Sequence, residues 1–204
     1  KKRHPWNIDI LVLIFLLLSM LIASSASAEP LAAETKVRTV FTQIEQSLKQ
    51  LKSENNFHYN SVKQVLSTQL LPEVDAKYFS YKVLAKHLTQ LTEQQKIEFI
   101  GALSAQLINT YTHLLTKYDN ESITIERSAL SKSGKLAMVN ISIIGQEKTN
   151  KAVVKLLQSE QNTWLFFDIV IEGISLLDSK QKEIGASITR KGIEQTLALL
   201  AKKV

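Results

Sequence analysis

The chain has no cysteine among its 204 residues. That excludes a disulfide framework, a thiol nucleophile and a thiolate metal site, and it excludes a lipid-modified cysteine behind the leader described below. Glycine (6) and proline (3) are scarce. No glycines have the G-x-x-x-x-G-K or G-x-G-x-x-G spacing that cradles nucleotide phosphates. Ser175 in "EGISL" lacks the second glycine of a G-x-S-x-G nucleophile elbow. Repeats, low-complexity tracts and long linkers are also missing. What is present is apolar: 45% hydrophobic residues, enough for one well-buried domain of ordinary size.

One continuous apolar run stands at the start. "KKRHPWNID" is basic, Ile10 to Ile22 is apolar apart from Ser19, and "ASSASA" places Ala26 and Ala28 before Glu29 in an A-x-A arrangement. The run is shorter than the roughly 20 residues that span a bilayer. The pattern predicts a cleaved secretory signal peptide over 1–28 and a mature domain over 29–204; the alternative is an uncleaved N-terminal anchor. A secreted chain without cysteine fits a bacterial periplasm better than a eukaryotic extracellular space. The formal charge is +6, and without Lys1, Lys2, Arg3 and Asp9 it is +4. The lysines are scattered and rarely flank aromatics, which predicts no nucleic-acid platform.

The first half carries helical periodicity. Val37, Val40, Phe41, Ile44, Leu48 and Leu51 form a stripe over 34–52. Further helices are predicted over 59–70, ended by Pro72, and over about 76–88. Thr92 and Gln95 form a capping box. It opens a long helix whose stripe is read as Ile97, Ile100, Leu103, Leu107, Tyr111, Leu114 and Tyr118. Past Asn120 the period becomes two. Ile123 and Ile125 share one face, then Ala137, Val139, Ile141 and Ile143, then "KAVVKLLQ", then "WLFFDIVI". Four strands joined by short polar turns predict an antiparallel meander. A helix follows from about Leu177 to Lys202, with Gly185 and Gly192 as weak points. The class is α+β: N-terminal helices, four-stranded antiparallel meander, C-terminal helices.

The fourth strand is apolar on both faces. Strict alternation puts Leu165, Phe167, Ile169 and Ile171 on one face and Trp164, Phe166, Asp168 and Val170 on the other. Either helices cover both faces, or the sheet curls round something apolar that is not protein. Asp168 and Glu172 lie roughly 13 Å apart at strand rise, beyond the roughly 5–9.5 Å of glycosidase carboxylate pairs. Asp168 is therefore read as a buried acceptor of hydrogen bonds and Glu172 as a solvent-facing strand end. His58, His87 and His113 share no metal-binding spacing and are read as surface or half-buried. No metal, cofactor or enzymatic site is predicted.

The segments "LPEVD" (71–75), "VLAKHL" (83–88), "LTEQQKIEF" (91–99), "LINTYTHLLTKY" (107–118) and "WLFFDIVIEGISL" (164–176) occur in an order and spacing that resemble the MlaC family. These are periplasmic phospholipid-binding proteins, also known as the toluene-tolerance auxiliary component of an ABC transport system. The last segment is the most specific: Trp164, Asp168, Ile171, Glu172, Gly173, Ser175 and Leu176 match W-x-V-Y-D-V-x-I-E/D-G-V-S-L. The chain departs from the family pattern at Ala76 (for phenylalanine), at Ala85 and Leu88 (for the glycine and tryptophan of L-G-K-x-W), and at Lys180, Gln181 and Ile184 (for Y-R-x-x-F).

The resemblance implies an NTF2-like shape with a deep apolar cavity that takes acyl chains. Its implied partners are phospholipid as cargo, an outer-membrane lipoprotein–porin complex and an inner-membrane ABC transporter complex. The implied role is maintenance of outer-membrane lipid asymmetry by a monomeric, non-enzymatic carrier. A binding module for another apolar small molecule is the alternative. Cavity residues are expected at Leu103, Leu107 and Tyr111 of the long helix and at Val139, Ile141, Ile143, Val154, Leu156, Phe166 and Ile169 of the sheet. Replacing Ile141 or Leu107 by aspartate is expected to lower bound lipid without unfolding.

Overall fold

A computed structural model describes residues 31–202. The signal-peptide reading of 1–28 and the start of the mature chain at Glu29 lie outside them. Helix α1 (Ala32–Ser53) buries Val37, Val40, Ile44 and Leu48 along one side, as the stripe predicts. Helix α2 (Tyr59–Val65) opens on the His58 side chain, and the chain runs on through a π-helical turn (Leu66–Leu70) and a 3-10 turn (Leu71–Glu73) containing Pro72.

Helix α3 (Ala76–Leu84) is capped by Asp75, whose carboxylate accepts from Tyr78 N. It stops four residues before the predicted end, because Ala85 takes a positive φ of 48° and the chain continues as a 3-10 turn (Ala85–Gln90). Helix α4 (Glu93–Leu115) starts on the predicted capping box: Thr92 Oγ1 accepts from Gln95 N at 3.2 Å, and Gln95 Oε1 accepts from Thr92 N at 2.9 Å.

The stripe read for α4 is partly wrong. Ile97 is 64% and Leu114 57% exposed, whereas Phe99, Ile108 and Thr112 are buried. Ile97 lies about 120° round the helix from Leu103, off the packed side. Leu114, by helical angle on the same side as Leu103, is nevertheless exposed in the last turn. Tyr118 is buried beyond the helix end, with Lys52 Nζ 4.9 Å from its ring centre.

The sheet is an antiparallel meander in the order β1 (Ser122–Leu130), β2 (Leu136–Ile144), β3 (Thr149–Gln158), β4 (Trp164–Ile171) and β5 (Ile174–Ser175). The four predicted strands are joined by a two-residue fifth. Glu172 and Gly173 turn the chain with φ of 48° and 81°, the doubly positive turn that suits a tight hairpin. That returns Ile174 and Ser175 onto Ile171 and Val170.

Pairing also overturns the face assignment in β4. Lys155 pairs with Asp168 but Leu156 pairs with Phe166, so Phe167 is an extra, bulged residue. Past the bulge the alternation is inverted. Trp164, Phe166, Ile169 and Ile171 share the inner face with Leu156, Val154 and Ala152, and Asp168 goes to the other.

Two apolar cores result. In one, α1 lies on the inner face of the sheet, against Val139, Ile141, Val154, Leu156, Trp164 and Phe166, and α2 adds Val62 and Val65. In the other, α3, α4, α5 (Leu176–Lys191) and α6 (Ile193–Lys202) pack through Phe79, Val83, Phe99, Leu103, Ile184 and Leu200. Gly192, φ 80°, breaks the predicted final helix in two, while Gly185 stays within α5. Helices cover the outer face only in part, where α5 meets β4 at Asp168. On the outer face Leu136, Met138 and Ile144 are exposed, and Val153, Leu157, Leu165 and Val170 are half-buried.

Candidate functional site

Between the two cores lies a cavity of about 210 Å³. From the sheet-side core come Phe41, Leu70, Val74, Val154, Phe166 and Ile169; from the helical core come Phe79, Leu107 and Leu176. Helix α4 turns Ser104, Leu107, Ile108 and Tyr111 toward it, an i, i+3, i+4, i+7 set on one face. Its polar groups are few: Ser104, the Tyr111 phenol and Asp168.

The bulge builds one wall. Because Phe167 is extra, consecutive residues Phe166 to Ile169 all border the cavity, which strict alternation forbids. Phe166 stacks on Phe41 with ring centres 5.9 Å apart, and Phe167 meets Tyr78 edge-on at 5.3 Å. The strand's free edge is held locally: Phe166 O accepts from Asp75 N at 2.8 Å, and Val74 bridges to Phe166.

Asp168 is buried and fully engaged. Its Oδ2 accepts from Lys155 Nζ and from Ser175 Oγ, each at 2.9 Å, and its Oδ1 accepts from Leu177 N at 3.0 Å. Ser175 is also the N-cap of α5, its Oγ accepting from Asp178 N at 3.0 Å. The carboxylate thus satisfies a helix-start N–H that has no partner within the helix and places negative charge at the favourable end of the dipole. Burial pushes the Tyr111 phenol above its ordinary value of 10.0, and the Asp168 charge adds to the shift.

Of the residues predicted for the cavity, Leu107, Tyr111, Val154, Phe166 and Ile169 line it. The others do not. Leu103 is closed inside the helical core. Val139, Ile141 and Leu156 are fully buried in the sheet-side core, and Ile143 is half-buried against the same core. Residues on the turn Leu70–Val74, together with Ala76, Phe79 and Leu176, line the cavity without having been predicted. No single periodic signal marks these, because they come from a π-helical turn, a 3-10 turn and the first turns of two separate helices. The Ser104–Tyr111 set did carry a readable helical spacing.

His87, expected on the surface or half-buried, is only 8% exposed. Glu172 is exposed, but its Oε1 accepts from Lys151 N at 2.6 Å. Among the described residues no cluster of His, Asp or Glu could hold a metal ion, and no helix is long and apolar enough to cross a membrane.

This chain belongs to the MlaC family: the family model described as MlaC protein matches residues 38–202. It is 22% identical over 192 residues to the intermembrane phospholipid transport system binding protein MlaC of Haemophilus influenzae, across 90% of this chain and 86% of that one. It is 24% identical over 144 residues to the toluene tolerance protein ttg2D of Pseudomonas putida, across 70% of this chain and 65% of that one. The fold matches the phospholipid-binding protein from Ralstonia solanacearum, solved in complex with a phospholipid, with a TM-score of 0.76 and 17% identity over 84% of this chain and 96% of that one.

Proposed function

We propose that this protein is a periplasmic phospholipid carrier. It receives acyl chains in the cavity between its two cores and exchanges lipid with an outer-membrane lipoprotein–porin complex and an inner-membrane ABC transporter complex, which maintains outer-membrane lipid asymmetry. The observation that carries this reading is the apolar cavity at the β4 bulge, in a chain of the MlaC family. The relatives add support: one is named for intermembrane phospholipid transport, and the Ralstonia fold-mate holds a phospholipid.

The physics suits a carrier. At about 0.8 kcal/mol per buried methylene, one sixteen-carbon chain is worth roughly 12 kcal/mol against water. A free lipid therefore crosses an aqueous space too slowly, and a protein offering a bilayer-like lining makes transfer nearly neutral. Direction then comes from the partners. An apolar lining discriminates chain identity weakly. The one carboxylate at the cavity spends itself on three hydrogen bonds, which suits a carrier better than an enzyme.

A second reading is a binder of a smaller apolar molecule. The volume of about 210 Å³ favours it, since sites for drug-sized ligands run from about 300 Å³ upward, and a phospholipid requires the walls to part. Native mass spectrometry and lipid extraction of protein purified from a lipid-rich host separate the two. Co-purified phospholipid at a fixed stoichiometry is expected. A smaller apolar ligand in its place, or no phospholipid, overturns the carrier reading.

A further inference from the structure

A hollow of about 580 Å³ lies between the 3-10 turn Ala85–Gln90 and helix α5, with Lys86, Lys182 and Arg190 on its walls and no acidic residue among those lining it. None of these three cations forms an ion pair with another described residue. Arg190 spends only its Nε, on Ala186 O at 3.2 Å, which leaves the terminal guanidinium nitrogens for a ligand. Three like charges round one concave surface repel each other and concentrate anions.

His87 supplies the second observation. It lines the hollow while being more than nine-tenths buried. Its Nδ1 meets Gln90 Oε1 at 3.4 Å, and its Nε2 has no partner among the described residues. Buried polar atoms almost always have one, so the orphan marks unmet hydrogen-bonding capacity in a residue at the edge of the hollow. The walls are also tied together: Gln181 Nε2 donates to Lys82 O at 3.0 Å across the gap between α5 and α3. The hollow is separate from the apolar cavity. Leu176 borders the cavity at the start of α5, and Lys182 and Arg190 follow it by about 9 and 21 Å along the helix axis.

We infer that this hollow is an anion site for a phosphate-type group, held by the Arg190 guanidinium and the Lys86 and Lys182 ammonium groups. Guanidinium and ammonium donors fit phosphate oxygens by geometry and by charge. The phosphate belongs either to a lipid head group presented by a bilayer or to a free anion, and both present the same oxygens.

The test uses the whole chain with two probes. Inorganic phosphate is titrated while the amide resonances of 85–90 and 181–190 are followed. Vesicles of phosphatidylcholine, with and without phosphatidylglycerol, are co-sedimented with the protein. The variant K182Q/R190Q is compared with the wild type, and K86Q serves if the double variant fails to fold.

For a membrane source, vesicle binding depends on phosphatidylglycerol and falls about 30-fold in the double variant and about 5-fold in K86Q. For a free anion, phosphate moves the local amides of the wild type, the variants lose that response, and vesicle binding is unaffected. Either result supports the site. Wild-type protein that binds neither probe, or variants that bind both as well as the wild type does, overturns it. Lipid extracted from the apolar cavity is expected to be unchanged in these variants, so failure of this site leaves the carrier reading standing.

Discussion

Ser175 Oγ donates a 2.9 Å hydrogen bond to the Asp168 carboxylate while accepting from the first turn of α5. One contact therefore couples the middle of β4 to the start of the C-terminal helix. Asp168 also takes Lys155 Nζ and Leu177 N. In Asp168→Asn the charge that Lys155 faces is gone and one of the acceptors becomes a donor. Lys155 is about a third exposed and retains water, so the loss is moderate: about 2 kcal/mol, with Ser175→Ala costing about 1 kcal/mol. Urea denaturation of both variants checks the order, and an Asn variant as stable as wild type refutes the structural role.

Leu107 and Ile141 separate cavity from core. Leu107 borders the cavity and is half-buried, so Leu107→Asp is expected to fold and to lose most of its co-purified lipid. Ile141 is 0% exposed and away from the cavity. An unpaired charge there costs more than about 3 kcal/mol, and Ile141→Asp is expected to unfold, contrary to the expectation from sequence. Circular dichroism and lipid extraction on both variants test the contrast.

Ala76 sits on the cavity wall. Ala76→Phe adds a ring to that space and is expected to lower bound lipid several-fold while stability holds or rises by up to about 1 kcal/mol. Unchanged lipid stoichiometry places the acyl chains elsewhere.

Ala85 has φ 48° and ψ −120°, a conformation that an L residue with a Cβ adopts only under strain. Ala85→Gly relieves it and is expected to raise stability by about 1 kcal/mol, equivalent to a thermal midpoint higher by about 2–4 °C. A lower midpoint contradicts the assignment of strain to this residue.

Tyr111 links the cavity to pH. Its folded pKa is raised above 10.0 by burial and by Asp168. The unfolded state then loses its proton first as pH rises past that value, so the contribution is fully present below it and is lost through the folded pKa. Stability is expected to decline at alkaline pH, less so in Tyr111→Phe. In a tyrosinate absorbance titration, Tyr111 of Asp168→Asn is expected to ionise at a lower pH than in the wild type. An unmoved titration excludes the coupling.

Much of this was legible along the chain. The α1 stripe, the Thr92–Gln95 capping box, the period change after Asn120 and the weak point at Gly192, though not which of the two glycines would break the helix, depend on neighbours a few residues apart. Helix and strand periodicity and capping chemistry act over that same distance. Asp168 was legible as a hydrogen-bond acceptor because a carboxylate amid apolar residues needs partners. "WLFFDIVIEGISL" was legible as a signature but not as geometry.

The sequence by itself determined the α+β order, the capped start of the long helix and the meander. Tertiary structure decided where that apolar surface closes and where it gapes. The bulge at Phe167 exists only in register with Lys155 and Leu156 of β3. That single extra residue moves Ile169 to the inner face beside Phe166 and sends Asp168 outward to α5. Leu103 and Leu107, one helical turn apart and equally apolar, end in different places: one inside the helical core, the other on the cavity wall. Burial depends on what arrives opposite a side chain from distant parts of the chain, and local periodicity carries no record of that.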